Sequence, residues 1–305
     1  MTAEASIRLL DAVIDANTAL PGGHYLLRLN APEIAARAQP GQFVHLRCGP
    51  QLPLRRPLSI LRADARSGQL EVLYKAVGVG TRMLTRQGAG EALSVLGPIG
   101  RPFAPDPARP RVVAIGGGVG MPPVLFLTQT LRSAPWRPLL LLGSEVPFPF
   151  RPRPSTLLVD GMPAETIAAL PLAEDWGIPS RLASGQGFAG CFEGHVTDLA
   201  GAYLSALDPD ALAQTQLVAC GPTPMLRAAA ALAARHGLPA QLCLEEHMAC
   251  GVGGCAGCVV PLATPAGPAM ARVCVDGPVF EAAAVYPDLF AAAVNPFNAR
   301  EIPNG

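Results

Sequence analysis

The sequence predicts an α+β multi-domain protein: an antiparallel β-barrel, then a doubly wound α/β sheet, then a small cysteine-rich C-terminal unit. Three observations predict it. Residues 7–105 alternate short apolar runs with turn signals and contain no convincing helical stretch. After Arg109–Arg111 the rhythm changes to strand, glycine turn, helix, strand. Four of the eight cysteines then fall within 25 positions, with glycines between them.

In the first part, His24–Leu29, Gln42–Arg47, Gln69–Ala76 and Ala92–Leu96 read as strands, separated by Pro-Gly, Gly-Pro and Ser-Gly signals. Short strands at this spacing close most readily into a small barrel. In the second part, Val112–Ile115 has the continuous apolar character of a buried parallel strand, and Pro123–Leu131 can form the helix behind it. Leu139–Leu142, Thr156–Val159 and Leu217–Cys220 are the candidate partner strands, and Met225–Arg235 is an alanine-rich helix. Pro147–Pro154 holds four prolines in eight residues and reads as a surface insertion. The expected division is 1–107 for the barrel, 108–240 for the α/β domain, 241–285 for the cysteine-bearing domain and 286–305 for a tail.

With 305 residues, half of them hydrophobic and 15% charged, the chain can bury a full core, and disorder is excluded. A formal net charge of zero leaves no electrostatic case for nucleic acid or an anionic membrane surface. Lys75 is the only lysine. The first twelve residues carry Glu4 and Asp11 and lack the basic-then-apolar layout of an export signal. The apolar stretches Arg111–Leu127 and Pro138–Leu142 are interrupted or short beside the roughly 20 residues of a membrane span. A cytoplasmic location without membrane attachment is the expectation.

Cys250, Cys255, Cys258 and Cys274 give C-x4-C-x2-C and a fourth cysteine after 15 residues, the plant-type [2Fe-2S] spacing. Two sulfide-bridged irons each require two thiolates, and the loop around them must be thin. Gly251, Gly253, Gly254, Ala256 and Gly257 supply that thinness. Zinc and inert buried thiols are the competing readings. Zinc favours paired C-x2-C units, which the x4 gap does not provide.

Gly116-Gly117-Gly118-Val119-Gly120-Met121-Pro122-Pro123 lies between a strand and a helix and reads G-x-G-x-x-P. Such glycines let backbone approach a pyrophosphate, whose charge the helix N-terminus favours. A plain tight turn is the alternative. Glu145, just after the Leu139–Leu142 strand, is placed to accept from a ribose 2′-hydroxyl and so to favour NADH, although Arg151 and Arg153 stand close in sequence.

Arg55-Arg56-Pro57-Leu58-Ser59-Ile60, followed by Leu73-Tyr74-Lys75 and Val77-Gly78-Val79-Gly80-Thr81, resembles the flavin-binding barrel of the ferredoxin-reductase superfamily. The resemblance implies FAD held by Arg56, Pro57, Leu58, Ser59, Leu73, Tyr74, Lys75, Gly80 and Thr81. Arg56 would take the pyrophosphate in a bidentate fork, and the Thr81 hydroxyl and Gly80 backbone would serve the remaining phosphate oxygens. Cys220-Gly221-Pro222-Thr223-Pro224-Met225 is similar to the second nicotinamide motif of that superfamily. It places Gly221 and Pro222 beside the nicotinamide and Cys220 near hydride transfer, or else as a packing thiol.

The three-part order covers about 280 of the 305 residues. Leu244-Glu245-Glu246-His247-Met248-Ala249-Cys250-Gly251 and Arg272-Val273-Cys274-Val275-Asp276-Gly277-Pro278 closely resemble the electron-transfer subunit of class 1B dihydroorotate dehydrogenase. That resemblance implies passage of electrons from NADH through FAD and a [2Fe-2S] cluster to the FMN of a separate catalytic subunit, in a heterotetramer. Pro147–Pro154 and the tail after Asp288 stand outside it. Related subunits of the same order serve hydrogenases and other flavoenzymes, so an NAD(P)H reductase with another acceptor is one alternative. A redox scaffold with a vestigial nucleotide site is the other. Glu245, Glu246 and His247 read as a helix cap or a solvated face.

Overall fold

The computed structural model describes residues 7–294; Met1–Ser6 and residues 295–305 of the expected tail lie outside them. Six antiparallel strands form a closed barrel: β1 (Arg8–Leu20), β2 (His24–Asn30), β3 (Phe43–Leu46), β4 (Arg56–Asp64), β5 (Gln69–Lys75) and β6 (Ala92–Ile99), in the order β1-β2-β5-β4-β3-β6. The two-residue period of each strand fills the barrel with Ile14, Leu27, Leu29, Val44, Leu46, Ile60, Leu70 and Val72, all fully buried. Two short helices interrupt a region expected to have none: α1 (Pro32–Ala35) and α2 (Val79–Leu84). The second starts inside the Val77–Thr81 motif.

The remaining chain builds a seven-stranded sheet. β7 (Arg111–Gly117) runs into α3 (Met121–Thr130), and β8 (Arg137–Gly143) returns beside β7 in parallel. Alternate residues of β7 face opposite layers. Val112 and Ala114 pack with Met121, Val124 and Leu125 of α3. Val113 and Ile115 pack with α5 (Val196–Ala206) and α7 (Thr223–His236) on the other side. Helices on both faces of parallel strands make this the doubly wound arrangement the sequence predicts.

The fourth parallel strand is not where the sequence put it. Thr156–Val159 is irregular, with Thr156 tied to Glu174 through its amide (2.9 Å). The strand beside β8 is instead Ser180–Ser184. Its polar residues are buried with partners for most of their groups: Ser180 Oγ accepts from Leu170 N (3.0 Å), and the Arg181 guanidinium donates to the carbonyls of Ser180 (2.7 Å) and Leu157 (2.8 Å), its Nε alone left unpaired. Numbered in chain order, β9 (Arg153–Pro154) and β10 (Ala168–Ala169) form a two-residue pair, α4 is Pro171–Asp175, Ser180–Ser184 is β11, and β12 is Phe192–Glu193. The proline segment runs at the surface, with Pro147, Arg151, Arg153 and Pro154 exposed, but it is anchored inward. Phe148 is buried and stacks with Phe150 and Phe188 at centroid distances of 5.3 and 6.2 Å.

After α6 (Pro209–Ala213), β13 (Thr215–Cys220) and β14 (Ala240–Cys243) extend the sheet past β7. The cysteine loop and the hairpin β15 (Val259–Thr264) and β16 (Gly267–Arg272) follow. β17 (Val279–Glu281) then rejoins the seven-stranded sheet, antiparallel to β14. α8 (Ala282–Val285) and α9 (Pro287–Val294) close the described chain, and the Arg227–Asp288 ion pair (2.7 Å) holds α9 to α7. No helix among the described residues is long and apolar enough to cross a membrane.

Candidate functional site: two joined cavities and a cysteine loop

Strand β4 brings Arg56, Pro57, Leu58 and Ser59 to the rim of the barrel, and β5 brings Leu73, Tyr74 and Lys75. These seven and Thr81 line one cavity of about 590 Å³. Gly80 lies under the arginine: a Cβ there would sit 2.8 Å from Arg56 Nε, so a side chain would push the guanidinium aside. Among the described residues no carboxylate pairs with Arg56, whose own contacts are to the carbonyls of Leu54 and Arg55 (both 3.2 Å). An unpaired guanidinium on a cavity wall is suited to a pyrophosphate. Tyr74 is buried, stacks on Tyr25 and donates to Asn17 (3.1 Å); burial pushes its hydroxyl up to about 12.

One expectation is corrected. The Thr81 hydroxyl accepts from the amides of Val77 (3.1 Å) and Gly78 (3.0 Å) and donates to Gly78 O (3.2 Å), so it shapes its own loop and is not a free phosphate donor. Replacing Arg56 with alanine is expected to weaken FAD binding by roughly 10- to 100-fold, the equivalent of about 1.5–3 kcal/mol for a charge-assisted hydrogen bond. Titrating apoprotein with FAD measures it; an unchanged affinity would remove Arg56 from the site.

A second cavity, about 610 Å³, opens at the carboxyl ends of β7, β8 and β11, where doubly wound sheets bind ligands. Gly117, Gly118, Glu145 and Pro222 line it. Gly116 and Gly120 do not; they serve close packing. A Cβ on Gly116 would press on Val124 (2.8 Å) and Leu142 (2.9 Å), and one on Gly120 would overlap the backbone of Cys220 and Gly221. Gly221 lines a smaller neighbouring cleft. Arg153 is bound to Asp175 (2.6 Å), and neither Arg151 nor Arg153 lines the cavity, which leaves Glu145 unopposed by arginine there. The sequence reading missed His24, Ser184 and His195 on this wall. Ser184 follows from the misplaced strand, since the end of β11 would have marked it; the two histidines carry no sequence signal. Lys75 lines both cavities.

Cys220 lies at the end of β13, fully buried, in register with Cys243. The Cys243 thiol, followed by burial and Glu245, holds its pKa well above the ordinary value. Cys243 lines the barrel-side cavity; Cys220 lines none of these cavities. Cys220 thus sits as a packing thiol of the core.

Glu245, Glu246 and His247 cap no helix but are solvent-exposed, as the solvated-face reading expects, and the irregular segment Leu244–Met248 also forms one wall of the barrel-side cavity. Glu245 is reached by solvent through the cleft but is surrounded by protein, and desolvation raises its pKa.

The same segment leads directly into Cys250. Its loop turns through left-handed backbone at Gly251 (φ +71°), Gly253 (φ +84°) and Ala256 (φ +52°), and the amides of Val252 and Gly257 donate to the sulfurs of Cys250 (3.5 Å) and Cys255 (3.4 Å). Burial raises the Cys250 pKa, but the amides of Val252, Cys255 and Gly254 with the Cys255 thiol outweigh it and bring it to about 7. Across the loop, Cys258 and Cys274 are buried with their sulfurs 3.4 Å apart. Burial and the Cys258 thiol push Cys274 up to about 12. Arg272 ties the halves together, donating to Gly253 O (3.3 Å) and pairing with Asp276 (3.4 Å). The thiols therefore fall into two pairs, Cys250 with Cys255 and Cys258 with Cys274, as two irons require.

A flavin-shaped barrel cleft, a nucleotide cleft and a two-iron loop in one chain define a pyridine-nucleotide-dependent flavin and iron–sulfur oxidoreductase. Residues 245–286 match the iron–sulfur cluster binding domain of dihydroorotate dehydrogenase B. Over 275 residues the chain is 32% identical to the electron transfer subunit of dihydroorotate dehydrogenase B (NAD(+)) of Desulforamulus reducens, covering 90% of this chain and 96% of that one. It is 36% identical over 268 residues to that of Geobacillus thermodenitrificans, covering 86% and 92%. Among solved structures, an NADH-dependent reduced ferredoxin-NADP oxidoreductase shares the fold with a TM-score of 0.71 at 24% identity, over 94% of both chains. A ferredoxin reductase of carbazole 1,9a-dioxygenase shares it at 0.59 and 18%, over 76% and 67%. The chain belongs to the family of dihydroorotate dehydrogenase B electron transfer subunits.

Proposed function

We propose that this chain carries electrons from NADH, through FAD and a [2Fe-2S] cluster, to the FMN of a dihydroorotate dehydrogenase catalytic subunit, in a cytoplasmic heterotetramer free of membrane. The observation that carries the reading is the course of Leu244–Met248, which walls the flavin cleft and reaches a cluster cysteine two residues later. FAD supplies the conversion from a two-electron donor to a one-electron acceptor. Everything else is asked of the chain. Arg56 and the Gly80 turn orient the flavin phosphates, and Gly117 and Gly118 admit the nucleotide backbone. Glu145 takes the adenosine ribose hydroxyls and disfavours a 2′-phosphate by like-charge repulsion. The two cavities share Lys75, Val77 and Val119, and there a nicotinamide and a flavin would be brought together for hydride transfer. No proton donor is needed for hydride transfer, and none of these residues is given that role. At the outlet, Cys255 is the exposed ligand beside half-exposed Val252, so the cluster is reached from outside on that edge.

Co-expression with an FMN-containing dihydroorotate dehydrogenase catalytic chain tests the reading. The purified complex is expected to have the mass of two copies of each chain and to reduce NAD⁺ with dihydroorotate only when both are present. A catalytic chain that neither binds this one nor gains NAD⁺ dependence from it would favour the reductase with another acceptor.

A further inference from the structure

Strand β3 separates the flavin cleft from the cysteine loop. Val44 and Leu46 point into the barrel core, so Phe43 and His45 point out of it. Phe43 lines the flavin cleft and packs in one apolar group with Cys258 and Cys274. His45 stands opposite Pro57, another cleft residue, and its Nδ1 faces Gly251 so closely that a Cβ there would lie 2.7 Å away. The strand is clamped from behind, where the Arg55 guanidinium donates to His45 O (3.3 Å) and to Ser94 O (2.9 Å). His45 is completely buried, yet neither ring nitrogen completes a hydrogen bond. A buried polar side chain left in this state calls for an explanation in terms of a site it serves.

An imidazole carries at least one N–H donor in either tautomer. Here Nδ1 faces Gly251, next to a cluster ligand, and a donor in that place can orient the ligand and tune the metal centre.

We propose that His45 is the positioning residue that fixes the cysteine loop against the flavin barrel and, through Cys250, sets the reduction potential of the bound cluster. The proposal rests on the reading that the four thiolates hold a [2Fe-2S] cluster. His45 touches neither the nucleotide nor the reacting atoms. Its effect is on the charge that reduction adds to the cluster: a fixed donor beside Cys250 favours the reduced state, and its loss lowers the potential.

The test is a redox titration of the FAD- and cluster-loaded protein, followed by the paramagnetic resonance of the reduced binuclear centre. H45F keeps a ring and deletes both nitrogens; H45N keeps a donor in a smaller side chain. H45F is expected to retain FAD and to shift the cluster midpoint negative, changing the reduced-to-oxidised ratio about tenfold at a given poise, which is about 59 mV for one electron. H45N is expected to lie between H45F and wild type. H236F, which alters another histidine with an unpaired buried Nε2 on distant α7, should titrate as wild type. If H45F cannot be loaded, H45N decides. An unchanged midpoint in the loadable variants, with the resonance intact, overturns the proposal. Absence of the resonance from wild type would overturn the cluster reading instead.

Discussion

Replacing Cys258 with serine is expected to abolish one-electron output while leaving flavin reduction intact. Cys258 and Cys274 are both buried, and their sulfurs are within 3.4 Å of each other. A hydroxyl there is a poorer ligand than a thiolate. Losing a mere supporting partner typically costs 10- to 100-fold in metal affinity; losing a ligand should exceed that, so the roughly stoichiometric iron and acid-labile sulfide of the wild type should disappear. The flavin cleft, however, keeps its β4 and β5 walls, and Phe43, the cleft residue packed with Cys258, meets a change of one atom. NADH should therefore still bleach the flavin anaerobically, whereas reduction of a one-electron acceptor or of the catalytic partner stops. A C258S protein with wild-type iron and full output would rule out the proposed ligand set.

Replacing Gly120 with alanine is expected to be the most damaging single-methyl change in the nucleotide half. The new Cβ would overlap the Cys220 carbonyl and lie 2.5 Å from Gly221 N, all of it backbone that cannot rotate away. Either the turn after β7 or the turn after β13 must move, and both border the nucleotide cavities. Overpacking of this kind costs about 1–3 kcal/mol. Denaturant unfolding should show that loss, and steady-state kinetics should show a raised KM for NADH. Gly118 provides the contrast. It has φ +56° but nothing within 4 Å of its missing Cβ, so G118A suffers only the left-handed backbone penalty of about 1–2 kcal/mol. Equal stability of G120A and wild type would mean the two turns do not approach as described.

The parts of the fold legible in the sequence were those where a local signal and the tertiary role agree. Alternating apolar residues mark barrel strands because only one face is buried, and Gly116–Pro123 marks a strand-to-helix turn because no other residues fit it. The cysteine spacing was legible because ligands leave a pattern independent of packing. The failures share a cause in polar groups satisfied at long range. The polar Ser180 and Arg181 left β11 without the apolar run that marks a buried strand, yet Leu170 and Leu157 pair with them from afar. Phe148 was masked by its prolines. Glu245–His247 are exposed as their polarity predicts, but the cleft that also makes them wall residues exists only once β3, β4 and the cysteine segment are assembled. His45 gave no signal at all, being one histidine in a short apolar run.

The chain enters the iron–sulfur segment from β14 and leaves it into β17, and those two strands are bonded neighbours in one sheet. Arg101, just past the barrel, bridges Pro278 as well. A prosthetic group carried on a swinging arm needs a hinge at one end; this one is stitched down at both. It is a fixed terminal, so a partner must seat its acceptor against it, and a protease that nicks the tip of the β15–β16 hairpin should leave the two fragments clasped together.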